Sequence, residues 1–297
     1  MFTRQIRVFD PRYAIVTGSN SGIGRETAIA LAEAGMDVGI TWNSDPEGAE
    51  QTARLVRAEG RRAIITQLDT SNLEACGDEI DNLAKDLGGL DVFVNNAGLG
   101  QHTPFLDLGL DDWREIIATD LDGAFVCMQR AARIMVEAAA GGRIVAVTSV
   151  HEHQPRVGSS AYDAAKHGLG GLVKSLALEL AEYGITANSV APGEISTPMN
   201  NADAEDAAKT HRPGIPIGRP GHPREIADVI AFLASPRRAT SPVPHSSPTA
   251  GCCRWGPRRA RISRATTGGA ASAAPTPLCA APERSARSPA QAAARAR

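Results

Sequence analysis

The sequence predicts an α/β fold in which a doubly wound parallel sheet is covered by helices on both faces. Short apolar runs alternate with segments of helical period up to about residue 238, which is typical of this fold class. A glycine-rich turn joins the first apolar run to the first helical segment. From residue 239 onward prolines, serines and arginines replace the alternation. We therefore predict one folded domain, 1–238, followed by a tail, 239–297.

Six apolar runs are predicted to be strands, and their nearly continuous hydrophobicity indicates burial on both faces. They are YAIVTG (13–18), DVGITW (37–42), RAIITQLD (62–69), DVFVNNAG (91–98), GRIVAVTS (142–149) and ITANSVAP (185–192). The segments of helical period between them are predicted to be helices over 24–34, 46–59, 72–87, 111–139, 160–183 and 222–234. Ligands of such sheets bind at the carboxyl ends of the strands, so the functional residues are expected there.

The tail differs from the domain in charge and in apolar content. The whole chain has a net charge of −2, but residues 241–297 contain nine Arg, no Lys and one acidic residue, Glu283. The large apolar side chains of this segment are Val243, Trp255, Ile262 and Leu278. So few cannot offset the entropy of ordering the backbone, and we predict that the tail is disordered. The arginines are scattered and lack aromatic partners beyond Trp255, so no nucleic-acid partner is expected.

Composition predicts a cytoplasmic protein without a membrane partner. No run approaches the ~20 apolar residues of a membrane-spanning helix, and the start, MFTRQIRVFDPRY, lacks the apolar core of a secretory signal. The five cysteines have neither metal-ligand spacing nor a disulfide framework; they are Cys76, Cys127, Cys252, Cys253 and Cys279. No metal site is expected.

The glycine-rich turn TGSNSGIG (17–24) predicts a dinucleotide site. Gly18, Gly22 and Gly24 lie directly between a predicted strand and a predicted helix. Glycine permits the tight turn, the close approach of backbone to phosphate, and the packing of helix on strand. The helix N-terminus then offers free N–H groups to a pyrophosphate. A glycine turn without a ligand is the alternative, and the strand–turn–helix context disfavours it.

A second pattern indicates acid–base chemistry. Tyr162 and Lys166 are four residues apart on a predicted helix, so both project from one face. Ser149 ends the preceding strand, at the edge where ligands bind. An ammonium near a tyrosine favours the phenolate, which makes the tyrosine a usable general acid–base. Alone, Y-x-x-x-K is a weak signal, but its combination with the glycine turn and Ser149 is specific.

Taken together, these motifs resemble the single-domain branch of the short-chain dehydrogenase/reductase family. TGSNSGIG, NNAG (95–98), Ser149 with YDAAK (162–166), and APG (191–193) followed by Ile195 and Thr197 match in order and spacing. The resemblance covers residues 12–238 and implies a Rossmann-type fold. It implies that Tyr162 is the general acid–base, that Ser149 stabilises the substrate oxygen, and that Lys166 holds the nicotinamide ribose.

The resemblance also implies a set of cofactor contacts. Asp69 would contact the adenine, Asn96 and Gly98 the adenosine ribose side, and Ile195 and Thr197 the carboxamide. The residues implied to bind the cofactor are Gly18, Ser19, Asn20, Ser21, Gly22, Ile23, Gly24, Asn43, Asp69, Asn96, Gly98, Tyr162, Lys166, Pro192, Gly193, Ile195 and Thr197. An acidic residue at the end of the second strand would select NAD(H). Here that strand ends in ITWNSD, with Asn43 and Ser44 at the selecting positions. The sequence therefore favours NADP(H) over NAD(H).

One position departs from the family pattern. The family often has a catalytic asparagine in the helix after NNAG, where this chain has Asp120. That asparagine acts partly through its backbone carbonyl, so an aspartate could keep the role. Asp120 is therefore a candidate site residue.

The expected function is NAD(P)-dependent hydride transfer to or from a small alcohol or carbonyl substrate. His151 and His153 in HEH, with Gln101 and His102, give the predicted pocket a polar lining, which suits a polyol, sugar or hydroxyketone. The segment 194–220 is predicted to be the substrate lid. Alternatives are a nucleotide-binding protein without turnover, an inactive frameshifted remnant, and a nucleotide-sugar epimerase or dehydratase, which the glycine spacing disfavours.

The C-terminus raises a separate hypothesis. Proteins of this family continue after FLAS (232–235) into a strand with a TG…DGG pattern. One GC-rich back-translation of residues 239–251, read from its third base, gives DVTGASFVADGG at the required spacing. We interpret the tail as out-of-frame translation that replaces a seventh strand. The in-frame parent is expected to be a dimer or tetramer of identical subunits, and the chain as written to be marginally stable and poorly assembled.

Overall fold

A six-stranded parallel sheet forms the centre of the protein. Its structure is a computed structural model that describes residues 9–100, 102–200 and 202–236. The strands are β1 (Tyr13–Val16), β2 (Asp37–Trp42), β3 (Ala63–Gln67), β4 (Val92–Asn95), β5 (Gly142–Val147) and β6 (Ile185–Val190). Their order is β3-β2-β1-β4-β5-β6, and every neighbouring pair is parallel. The predicted doubly wound fold is confirmed, whereas the tail and the lost seventh strand lie outside the described residues.

Helices cover both faces of the sheet. They are α1 (Gly22–Glu33), α2 (Pro46–Ala58), α3 (Leu73–Leu87), α4 (Leu110–Ile117), α5 (Gly123–Ala138), α6 (Ser160–Glu179) and α7 (Pro223–Ala234). The apolar sides of α1, α2 and α7 share one core cluster with Ala14 and Val16 of β1. Those of α3, α5 and α6 share the opposite cluster with Ile15 and Phe93. Successive side chains of a strand point to opposite faces, so β1 contributes to both cores. None of the helices in these described ranges has the length and apolarity that a bilayer span requires.

Five strands end two or three residues earlier than the apolar runs predict, and this difference creates the site, whereas β2 ends at Trp42 as predicted. The run 13–18 ends as a strand at Val16, and the run 91–98 ends at Asn95. β1 and β4 are neighbours in the sheet. Beyond β1 the order continues with β2 and β3, and beyond β4 it continues with β5 and β6. The residues after both strands therefore lie at the switch point of the sheet, where a crevice opens at the carboxyl ends.

The predicted long helix over 111–139 contains a wider turn. The chain forms α4, then a π-helical turn over Ala118–Asp122, then α5. Gly123 begins α5, and a Cβ there would overlap the backbone carbonyl of Thr70. Such single π turns often occur at functional sites. Here the turn contains Asp120, whose side chain is fully buried.

Candidate active site

The glycine turn forms a backbone cradle at the N-terminus of α1. Gly18 and Gly22 have φ values of 60° and 54°, in the left-handed region that favours glycine. Gly24 has no room for a side chain, because a Cβ would overlap the Gly18 carbonyl oxygen and approach the Asn96 amide. Ser21 is the N-cap residue of α1, and its side chain makes no capping bond. The cradle and the open helix end suit a pyrophosphate group, so these residues fit a dinucleotide.

Side chains from three strand ends hold the cradle in place. The buried Ser19 hydroxyl donates to the Val16 carbonyl at 2.8 Å and accepts from the Thr41 N–H at 3.1 Å. The Thr41 hydroxyl in turn accepts from the Gly18 N–H at 3.1 Å. Thr17 Oγ1 accepts the N–H groups of Asn96 and Ala97 at 2.9 and 3.0 Å. The Ser19 side chain thus supports the loop, and only its backbone remains to approach a ligand.

The turn after β4 is joined directly to the glycine turn. The Asn96 side-chain amide donates to the carbonyls of Thr17 and Gly18, both at 3.0 Å. Two positions later, a Cβ on Gly98 would lie 2.9 Å from Asp120 Oδ2 and 3.2 Å from Lys166 Nζ. Gly98 therefore lies against a buried pair of charges.

The opposite end of the crevice contains the residues predicted to meet the adenosine. Asn43 and Asp69 are exposed, and their oxygens accept from Gln67 Nε2 and from Ser71 respectively. Asn20 Nδ2 donates to Asp45 Oδ2 at 3.3 Å, and Asp45 also caps α2. Sequence reasoning placed Asp45 beyond this region. Its position after Asn43 and before Pro46 is the pattern of a helix N-cap, which could have identified it.

A basic side chain that the sequence interpretation missed also lies here. The Arg25 guanidinium donates to the Asn20 carbonyl, to the Gly48 carbonyl and to Thr52 Oγ1, at 2.5, 3.3 and 3.1 Å. Arg25 follows the glycine turn by one residue and meets α2 only in the folded protein. It ties the glycine turn to the start of α2.

The segment after β6 closes the third side of the crevice. The Pro192 carbonyl accepts from the Val150 N–H at 2.9 Å, and Gly193 follows it, half-buried. Ile195 pairs with Gly221 in a short bridge, which brings the two ends of the predicted lid together. A Cβ on Gly22 would lie 3.2 Å from Thr197 Cγ2, so this segment touches the glycine turn. Ile23, between the two cradle glycines, packs against the core.

Ser149 lies just beyond the carboxyl end of β5, and Tyr162 and Lys166 lie on α6. Ser149 follows β5 and is 7% exposed, and its Oγ accepts from the His151 N–H at 3.2 Å. Tyr162 and Lys166 are one turn apart on α6, and Lys166 Nζ lies 5.3 Å from the centre of the Tyr162 ring. The His151 ring meets the Tyr162 ring edge to face, with centroids 6.1 Å apart at 77°. His151 thus links Ser149 to Tyr162.

Asp120 forms a buried ion pair with Lys166. Asp120 Oδ2 lies 3.1 Å from Lys166 Nζ, and both side chains are almost fully buried. Asp120 Oδ1 accepts from the Leu99 N–H at 2.7 Å, which fixes the carboxylate. Burial is the largest influence on the pKa of Lys166 and lowers it. The Asp120 and Tyr162 charges and the hydrogen bond to Asp120 outweigh burial, so the pKa lies above its ordinary value. The lysine is therefore an ammonium at neutral pH.

The other polar residues predicted to line the pocket are Gln101, His102 and His153. His102 is exposed, and Gln101 lies outside the described residues. His153 Nε2 lies 4.0 Å from the buried Glu152 carboxylate. In the described part of the chain, no three His, Cys, Asp or Glu side chains group as metal ligands.

Comparison with known proteins identifies the family of this chain. The family described as Enoyl-(Acyl carrier protein) reductase matches residues 18–241. The oxidoreductase YohF of Escherichia coli (strain K12) is 52% identical over 222 residues, which is 75% of this chain and 88% of that protein. A cis-4-hydroxycyclohexanecarboxylate dehydrogenase of Sinomonas cyclohexanicum is 40% identical over 228 residues, or 76% of this chain and 90% of that protein.

Among solved structures, acetoin dehydrogenase from Enterobacter cloacae superimposes with a TM-score of 0.74 at 52% identity, covering 78% of this chain and 91% of that one. The range matched by the family contains Ser149, Tyr162 and Lys166. The chain belongs to the short-chain dehydrogenase/reductase family and is an oxidoreductase that acts on CH–OH or C=O groups.

Proposed function

We propose that this protein interconverts a small polar alcohol and its carbonyl compound with a nicotinamide dinucleotide, and that Tyr162 is the general acid–base. The observation that carries the proposal is the arrangement of Tyr162 and the Asp120–Lys166 ion pair beside Ser149, at the edge formed by the glycine turn. The substrate is of the polyol, sugar or hydroxyketone type. A bound nicotinamide would supply the hydride chemistry, and the protein's own residues handle the proton and the substrate oxygen.

Ser149 is oriented to donate a hydrogen bond. Its Oγ accepts from the His151 N–H, and no acceptor among the described residues takes its hydroxyl proton. The proton is thus available for the oxygen of a substrate carbonyl or alcohol. A fixed donor at the oxygen where negative charge develops stabilises the transition state.

Lys166 supports Tyr162 and has donors left for a ligand. An ammonium carries three N–H groups, and Asp120 accounts for one of them. Lys166 Nζ lies 5.3 Å from the centre of the Tyr162 ring, and we propose that the Tyr162 hydroxyl exchanges the proton with the substrate oxygen. We propose that the remaining N–H groups bind the hydroxyls of the nicotinamide ribose.

The glycine turn and the two segments near it would bind the rest of the cofactor. We propose that the N–H groups at the start of α1 hold the pyrophosphate, that Asp69 and Asn43 lie at the adenosine, and that Ile195 and Thr197 lie at the carboxamide. NADP(H) is the proposed cofactor, because neither Asn43 nor Ser44 is acidic and the Asp45 carboxylate is held by Gly48 and Asn20. Comparison of KM for NADPH and NADH tests this choice.

Relatives with named substrates support a small substrate. The acetoin dehydrogenase and the hydroxycyclohexanecarboxylate dehydrogenase act on compact hydroxylated molecules, as their names state. We propose a cytoplasmic enzyme whose in-frame parent assembles from identical subunits, and the exposed Phe105 and Leu106 side chains offer apolar surface for such assembly. Sedimentation of the chain as written and of a chain with the restored ending tests the assembly.

Replacement of Tyr162 tests the function. In Tyr162→Phe we expect kcat with a panel of small polyols and ketones to fall about 10²- to 10⁴-fold, while cofactor binding, followed by NADPH fluorescence, is retained. Tyr183→Phe is the matched control, because Tyr183 is exposed at the far end of α6. Turnover by Tyr162→Phe would refute the assignment. Cofactor binding by the wild type without turnover of any substrate would favour the nucleotide-binding alternative.

A further inference from the structure

His151 contacts both residues whose hydroxyl groups are proposed to hold the reacting oxygen. Its N–H donates to Ser149 Oγ at 3.2 Å. Its ring meets the Tyr162 ring edge to face, with centroids 6.1 Å apart. The His151 side chain is 22% exposed, so part of the ring remains open to a ligand. Because His151 contacts both Ser149 and Tyr162, a substrate held by those two residues would lie near this ring.

The contacts of the His151 ring determine which nitrogen carries the proton. Nδ1 lies 2.8 Å from the carbonyl oxygen of Gln154. A carbonyl oxygen can only accept, so Nδ1 must be the N–H donor. Asp163 Oδ1 lies 4.0 Å from the same nitrogen. That buried oxygen has no hydrogen-bond partner in the described part of the chain, so it is a second acceptor on the Nδ1 side of the ring.

In the neutral ring Nε2 then carries the lone pair. Among the described residues no donor lies within hydrogen-bonding distance of Nε2. An imidazole with Nδ1 bound to a carbonyl presents Nε2 as an acceptor. The crevice therefore has two kinds of polar group side by side: a hydroxyl donor on Ser149, and an acceptor on His151.

We propose that His151 Nε2 accepts a hydrogen bond from a hydroxyl on the carbon next to the reacting carbon, and that it selects vicinal diols and α-hydroxyketones. This inference rests on the proposed function. Ser149 and Tyr162 hold the reacting oxygen, and the neighbouring His151 meets the second one. A second keto oxygen cannot donate to Nε2, so a diketone lacks this contact. His151 is a specificity-determining residue, and Asp163 and Gln154 position its ring.

Matched substrates and variants test the inference with the full-length chain. 2,3-Butanediol carries the second hydroxyl, and 2-butanol lacks it. The change His151→Asn keeps a side-chain amide that can donate to the Gln154 carbonyl, but the shorter side chain has no acceptor at the position of Nε2. We expect kcat/KM for 2,3-butanediol to fall about two- to tenfold, mostly through KM, as for the loss of one hydrogen bond. The value for 2-butanol, which cannot make this contact, should fall less, so the ratio of the two values is the decisive quantity.

Two further variants separate recognition from structural damage. In His151→Gln the side-chain carbonyl can replace Nε2 as acceptor, so part of the diol preference should return. The matched control is His167→Asn, because His167 is exposed on α6 and its Nδ1 also bonds to a carbonyl at 2.8 Å, that of Asp163. This control should leave both substrates unaffected.

Three results would overturn the inference. Equal losses for diol and monoalcohol in His151→Asn would indicate a structural role. No loss for either would show that Nε2 does not meet substrate. A wild-type preference for diacetyl over acetoin in the reductive direction would indicate a donor at this position, as in a protonated ring. In all three cases wild-type turnover upholds the proposed function. Absence of any wild-type turnover would overturn both.

Discussion

The Asp120–Lys166 ion pair leads to the sharpest prediction. In Asp120→Asn the amide keeps the size of the carboxylate and can still accept from the Leu99 N–H, but the Lys166 ammonium loses its counter-charge. At 3.1 Å the attraction amounts to about 5 kcal/mol at an effective dielectric constant of about 20. Desolvation offsets part of this gain, and removing one partner of a buried pair typically costs about 3–5 kcal/mol. We expect a loss of that size in the free energy of unfolding near pH 7.

The loss should depend on pH in a defined direction. Because the pKa of Lys166 is raised in the folded wild type, its contribution is complete below the unfolded pKa of about 10.4 and disappears as the pH rises through the folded pKa. In Asp120→Asn the carboxylate charge is gone, so burial is no longer outweighed and the pKa of folded Lys166 falls. The unfolded variant then binds more protons than the folded one, and its stability rises with pH. The difference in free energy of unfolding between the wild type and Asp120→Asn should therefore become smaller from about pH 7 to about pH 10.

Urea unfolding at both pH values measures these quantities. Asp122→Asn is the matched control, because Asp122 belongs to the same π-helical turn but is exposed, and surface changes usually stay within about 0.5 kcal/mol. If Asp120→Asn unfolds at the same urea midpoint as Asp122→Asn, the ion pair does not contribute as reasoned. A pH-independent difference would show that the lost energy is not that of a titrating lysine.

Three further predictions concern glycines and the C-terminus. Gly98→Ala should displace the Asp120–Lys166 pair, since a Cβ would lie 2.9 Å from Asp120 Oδ2 and 3.2 Å from Lys166 Nζ; kcat should fall, and an unchanged kcat would contradict this packing. On α6, Gly171→Ala should stabilise the protein by about 0.5–1 kcal/mol, because a Cβ there meets nothing within 4 Å. Gly170→Ala should destabilise it, because a Cβ would overlap the Glu152 carboxyl. If both changes shift the urea midpoint in the same direction from that of the wild type, the comparison is refuted. A chain restored to the ending DVTGASFVADGG should unfold at a higher urea concentration than the present chain, since four or five more buried side chains contribute roughly 6–15 kcal/mol. Equal urea midpoints would count against the frameshift, and so would coding DNA with one intact frame through residues 236–239.

Local patterns in the sequence predicted the architecture and the reacting groups. Continuous apolar runs predicted the six strands, because a strand buried on both faces needs apolar residues at every position. The i, i+4 spacing predicted that Tyr162 and Lys166 share a face of α6, since that relation follows from helical geometry alone. Except in β2, the strand ends were predicted two or three residues too far toward the carboxyl side, because the last residues of those runs leave the sheet at its carboxyl edge.

Other features depend on contacts between distant segments. The π-helical turn at Asp120 could not be predicted, because helical period and propensity are the same on both sides of it. The roles of Thr17, Thr41 and Arg25 likewise depend on neighbours more than 20 residues away.

The sequence by itself determined that this chain forms a doubly wound sheet with a glycine turn and a tyrosine–lysine pair, because each of those signals is contained within a short stretch of sequence. Only the tertiary structure decided that Asp120 pairs with Lys166 and that His151 contacts both Ser149 and Tyr162. The physical reason is that a parallel sheet gathers the ends of its strands at one edge. Side chains far apart in the chain then share a buried crevice, where their mutual distances set their charge and hydrogen bonding.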